Sequence, residues 1–106
     1  MQFQFNSDNR VDGHADLAAS VETIVRSRLD RIVDRLSRVE VHVGDVNGPR
    51  GGDHLRCAVE LRPNGMQPIS ATDEAASLEA AVASATDKAL SAYDRQIGKQ
   101  TTRKGH

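Results

Sequence analysis

The chain has 106 residues and a net charge of −1, with 14 Lys and Arg set against 15 Asp and Glu, and it carries only two Phe, one Tyr, no Trp and one Cys. A chain of this length makes one domain that buries roughly two-thirds of its unfolded surface, here with Val, Leu, Ile and Ala in place of aromatics. The composition excludes an internal disulfide at Cys57 and a span of the roughly 20 apolar residues that a bilayer requires, and no signal-peptide pattern opens the chain, so a soluble protein of the reducing cytoplasm is expected.

In Gln2 to Asn6, Phe3 and Phe5 alternate with Gln2 and Gln4, the period-2 pattern of a half-buried strand. Asn6 to Gly13 is polar and turn-like. From about Ala15, the residues Leu17, Val21, Ile24, Val25, Ile32 and Val33 recur at spacings of three, four and their sums, which predicts an amphipathic helix ending between Leu29 and Leu36. Val39, Val41 and Val43 then face one way with Glu40 and His42 on the other side, and GDVNGPRGG supplies a turn rich in Gly, Asn, Asp and Pro. Leu55, Cys57, Val59 and Leu61 repeat the alternation. The Asn64-Gly65 pair favours a tight hairpin, and Ile69 and Ala71 belong to a shorter strand. Ser77 is placed to cap a last helix whose inner face is Leu78, Val82, Ala85, Ala89, Tyr93 and Ile97.

The order β-α-β-β-β-α makes the first two strands parallel through a right-handed crossover and the next two joins antiparallel. The predicted fold is a two-layer α+β sandwich, with a four-stranded mixed sheet and both helices on one face. Gln2, Gln4, Glu40, His42, Arg56, Ala58, Glu60, Ser70 and Thr72 are left on the open face. The domain is expected over residues 1–99, with 100–106 a disordered basic tail.

Catalytic and metal chemistry find no motif. The four histidines have no HxxxH or HExxH spacing, and His42 and His54 would meet only in one strand register. Cys57 alternates with Leu55 and Val59 and reads as a small buried hydrophobe. NGPRGG lacks the Lys-Ser/Thr of a phosphate loop and precedes a strand, not a helix. No enzyme activity, cofactor or metal is expected.

Charge distribution is more informative. Arg28, Arg31, Arg35 and Arg38 would share one stripe if the first helix ran that far, with Arg26 off it and Asp30 and Asp34 as balancing acids. A solvated helix flank is the bland reading of that stripe, and composition alone favours it. Lys88, Arg95 and Lys99, spaced by seven and four, make a second stripe on the last helix. Side by side over one sheet, the two stripes could merge into a single positive patch suited to phosphates, which puts nucleic-acid binding level with the bland reading.

The element order, MQFQFN at the start, RVEVHVGDVNG followed by RCAVELRPNGMQPI, and SLEAAVASATDKAL in the last helix together resemble the ribosome hibernation-promoting factor family, which includes the ribosome-associated inhibitor proteins. The resemblance runs nearly to Lys99 and implies a fold similar to double-stranded-RNA-binding domains. It implies a non-enzymatic factor that binds the small ribosomal subunit, occupies its tRNA and mRNA channel and represses translation. On matching positions it implies Arg26, Arg28 and Arg31 near the end of the first helix, and Lys88, Arg95 and Lys99 along the second, as rRNA contacts. The partner would be the small subunit, through rRNA and neighbouring ribosomal proteins, with no membrane and no small-molecule substrate, and a monomer is favoured. Ser91, Ala92 and Asp94 stand where the family's last helix is often polar or basic, and the chain looks like a short-type member without the further domain of long members. The alternative is a protein-interaction or self-associating module on the same scaffold, with weak rRNA binding, that works through its open sheet face or a strand edge.

Overall fold

The computed structural model describes residues 1–7, 14–46 and 54–104. In chain order they form β1 (Gln2–Ser7), α1 (His14–Arg28), a 3₁₀ turn (Asp30–Arg35), β2 (Leu36–Val46), β3 (His54–Pro63), β4 (Ile69–Ala75) and α2 (Leu78–Lys104). The turns expected from Asn6 to Gly13 and over GDVNGPRGG (44–52) start later, because β1 continues through Ser7 and β2 through Val46; their remaining parts, 8–13 and 47–52, lie outside the described residues.

The four strands stand in the order β1-β2-β3-β4, with β1 parallel to β2 and the other pairs antiparallel, as the connections predict. The register aligns Phe5, Val41, Val59 and Ala71 across the sheet, flanked by the row Phe3, Val39, Leu61 and Ile69. These residues make the helix-covered face, and Val39, Val41, Cys57, Val59 and Leu61 are almost wholly buried on it. Helix α1 packs on β1 and against α2, while α2 covers β3 and β4. Ala81, Ala85 and Ala89 on the inner side of α2 let the helix approach the strands closely, with Val82 and Tyr93 filling the space around them.

Two local irregularities alter the expected boundaries. Leu36 pairs with Pro63 and Arg38 with Arg62, so Ser37 is an extra residue in β2, and its Oγ donates to the Arg62 carbonyl at 2.9 Å. The bulge reverses the alternation, so that Leu36 and Val39 are both buried and the strand begins three residues before Val39. The first helix stops at Arg28. The Leu29 N–H closes its last turn on the Val25 carbonyl at 2.9 Å, the Ile32 N–H then donates to the Leu29 carbonyl at 2.9 Å, and the chain continues as a 3₁₀ turn. Leu29, Ile32 and Leu36 stay buried because spacings of three and four serve both helix types.

The Asn64-Gly65 turn differs from a two-residue hairpin. The Met66 N–H donates to the Pro63 carbonyl at 3.3 Å, Gly65 has φ +73°, and Asn64 keeps a negative φ. Those signs fit a type II turn inside a longer connection, not the type I′ turn that needs positive φ at both central residues. Ser77 caps α2 as expected, its Oγ accepting from the Ala80 N–H at 3.2 Å. The helix runs to Lys104, into the 100–106 stretch expected as a tail, whose last two residues lie outside the described ones. Its 27 residues extend about 40 Å at 1.5 Å per residue, well beyond the seven-residue β4 that it covers.

Cys57 is fully buried, and burial pushes its thiol up to about 12, as suits an inert hydrophobe. Thr86 on α2 is also fully buried, and its Oγ1 has no hydrogen-bond partner among the described residues. Thr86→Val keeps the shape and removes the unsatisfied hydroxyl, so it should stabilise the fold by about 1 kcal/mol. A urea midpoint at or below that of the parent would show that the hydroxyl is satisfied in solution.

Candidate nucleic-acid interface

The open face of the sheet carries Gln4, Arg38, Glu40, His42, Arg56, Glu60, Arg62 and Glu74 in the expected alternation, and its charges are spent on one another. Glu40, only 16% exposed, lies 3.2 Å from Arg38, 3.3 Å from Arg62 and 3.7 Å from His42. Arg62 also reaches Glu60 at 3.0 Å, which offsets the like-charge pairing of Glu40 and Glu60 directly across the strands. Arg38 further donates to Gln4, and Arg56 pairs with Glu74 at 3.1 Å. His42 is opposite Ala58 and His54 opposite Val46, so the two imidazoles do not meet, and the described residues hold no cluster of three or more potential metal ligands. A face whose arginines all have carboxylate partners is a poor collector of phosphates.

The helical side is organised differently. Arg28 and Arg31 lie on the flank of the α1 segment that meets α2. Arg28 Nη1 donates to both carboxylate oxygens of Asp87, at 2.9 and 2.7 Å, and Arg31 Nη2 donates to Asp94 at 2.6 Å. The pairing of 28 with 87 and 31 with 94 shows that the two segments run in the same direction. The hydrogen bond and the charge of Asp94 raise the Arg31 pKa further above its ordinary value. Arg26 points elsewhere: its Nε binds Glu22 at 2.7 Å, one turn back, and its Nη2 reaches the Met1 carbonyl at 3.4 Å beside β1.

On α2, Lys88, Arg95 and Lys99 do form a stripe, about 100° round the helix from Asp87 and Asp94. Ser70, Ala71 and Thr72 of β4 line a shallow groove of about 480 Å³ with Ser84, Lys88, Ser91 and Arg95. At its side Lys88 pairs with Asp73 at 3.3 Å. Asp73 also accepts from Ser84 and from the Glu74 N–H, and these contacts, the Ser84 hydrogen bond first, hold its carboxyl below the usual range. Arg95 and Lys99 are exposed and have no acidic partner among the described residues. Arg35, at the end of the 3₁₀ turn, is also exposed and unpaired within that set.

Two expectations are corrected by this arrangement. The arginine stripe is broken, because the helix ends at Arg28 and Arg38 stands in β2 on the far face of the sheet. The α1 and α2 stripes do not merge, because Asp87 and Asp94 form an acidic row between them. Of the anticipated contacts, Arg26, Arg28, Arg31 and Lys88 each have a carboxylate neighbour, and Arg95 and Lys99 have none among the described residues. The carboxylates Asp73, Asp87 and Asp94 are the residues that reading by stripe misses. Their alignment with Lys88 and the two arginines depends on how the elements pack.

Comparison with known proteins follows the fold. Among solved structures, the Thermus thermophilus Protein Y N-terminal domain superposes with a TM-score of 0.62 at 18% identity, covering 90% of this chain and 98% of that one. A ribosomal subunit interface protein from Coxiella burnetii superposes with a TM-score of 0.63 at 16% identity, covering 96% of this chain and 99% of that one. At such identities the likeness is one of fold. A comparison with curated proteins finds no match. The sequence itself matches, over residues 9–104, the model of the family described as Sigma 54 modulation protein / S30EA ribosomal protein, and the chain belongs to that family.

Proposed function

We propose that the protein is a non-enzymatic ribosome-binding factor of the cytoplasm that occupies the tRNA and mRNA channel of the small subunit and so represses translation. Family membership supports ribosome association, and both structural neighbours share the fold. The observation that carries the choice of surface is the division of charge among the described residues: the open sheet face is internally neutralised, whereas cations without acidic partners lie on the helical side. Arg95 and Lys99 are the leading phosphate contacts, with the exposed Arg35 of the 3₁₀ turn as an addition. Arg26, Arg28, Arg31 and Lys88 contribute to the extent that phosphate displaces their carboxylates. Charge-assisted hydrogen bonds anchor the domain, and its bulk excludes tRNA, with no bond made or broken.

Co-sedimentation with isolated small subunits and with whole ribosomes, at two salt concentrations, tests this reading. Each phosphate contact adds about 0.7 to 0.9 to the slope of log affinity against log salt, so saturable binding should be lost steeply as salt rises. Binding that ignores salt would favour the second reading, a protein-interaction module, which the neutralised Arg28 and Arg31 and the unpaired edge of β4 would suit. No binding at low salt would overturn the ribosome reading.

A further inference from the structure

The acidic row of α2 lies within the surface that the proposed function assigns to rRNA, and the inference drawn from it rests on that reading. We propose that Asp87 and Asp94 set the affinity of the interface by occupying Arg28 and Arg31 in place of phosphate, so that these two arginines engage RNA only where a phosphate can displace the carboxylate that holds them. The geometry is that of competition for one group. Asp87 takes Arg28 through Nη1 alone, with both carboxylate oxygens, and Asp94 takes Arg31 through Nη2. These are the donor groups that would bind phosphate oxygens. All four side chains are near half exposed, Arg28 at 42%, Asp87 at 53%, Arg31 at 58% and Asp94 at 48%, so an incoming anion can reach the pairs and solvent weakens them enough to be exchanged. The same exposure means that the fold does not depend on them. The consequence is selective: a phosphate that fits between the helices gains the arginines, while a loosely apposed polyanion meets a surface that already holds its counter-charges.

The test compares three full-length variants with the parent for binding to isolated small subunits over a range of salt. D87N/D94N should bind about tenfold tighter at low salt and show a slope steeper by about 1.5, as expected for two further phosphate contacts. D30N/D34N makes the same change in net charge at exposed acids of the 3₁₀ turn that hold no arginine among the described residues. It should gain less than about threefold, the share due to general attraction. Adding R28Q/R31Q to D87N/D94N should abolish the gain. The proposal is overturned if D30N/D34N gains as much as D87N/D94N, if the gain survives loss of the arginines, or if D87N/D94N binds more weakly, which would mean that the carboxylates hold the arginines ready for RNA. Binding by the parent with no gain in D87N/D94N sinks this inference alone. Absence of binding by every protein at low salt sinks the ribosome reading and this inference together.

Discussion

Reversing Arg95 and Lys99 of α2, as R95E/K99E, should lower affinity for the small subunit by about a hundredfold at low salt and flatten the salt dependence by about 1.4 to 1.8. The effect is large because neither residue has a carboxylate to release among the described residues: each reversal removes an available cation and adds a repulsive anion at the same place. K88E should cost less, since Lys88 already spends part of its charge on Asp73 at 3.3 Å. R26E should cost least, because Arg26 pairs with Glu22 and turns toward the Met1 carbonyl, away from α2. Co-sedimentation of the three variants with the parent measures the order directly. If R26E binds as weakly as R95E/K99E, the interface reaches across α1 to β1, and the C-terminal half of α2 is not its centre. Equal binding by all three and the parent would remove the helical side from consideration.

Periodicity alone does not rank these cations. The strands were legible because Phe3 and Phe5, Val39 to Val43, and Leu55 to Leu61 alternate without interruption, and period 2 has only one structural meaning in a half-buried sheet. The start of β2 was hidden because the bulge at Ser37 breaks that period while keeping Leu36 in the core. The end of α1 was hidden because an apolar spacing of three continues unchanged from α-helix into a 3₁₀ turn. The positive stripe on α2 was visible for the reason that the apolar face was, both being properties of one helix. What opposes each cation is a property of two elements. Asp87 and Asp94 are 59 and 63 residues from the arginines that they hold, and only the packing of α1 on α2 brings them together.

The second large effect concerns the joint that sets this packing. Leu29 is fully buried where α1 gives way to the 3₁₀ turn, with its backbone N–H bonded to Val25 and its carbonyl to Ile32. Arg28 and Arg31 flank it in sequence, so the site and the core meet at this residue. Leu29→Ala removes buried methyl groups and leaves a cavity that the surrounding core can only partly fill, at a cost of about 2 to 5 kcal/mol. Against a total stability of about 5 to 15 kcal/mol, that should lower the melting temperature by 10 °C or more. Ile24→Ala, at a half-buried position five residues earlier in α1, should cost about 1 kcal/mol and serves as the comparison. The melting curves and urea midpoints of both variants decide the matter. A loss at Leu29 no larger than that at Ile24 would mean that the joint relaxes to close the cavity. If instead Leu29→Ala is strongly destabilising and still binds small subunits at low temperature with the parent's salt slope, the packing of the joint supports the fold while the phosphate contacts are carried by α2.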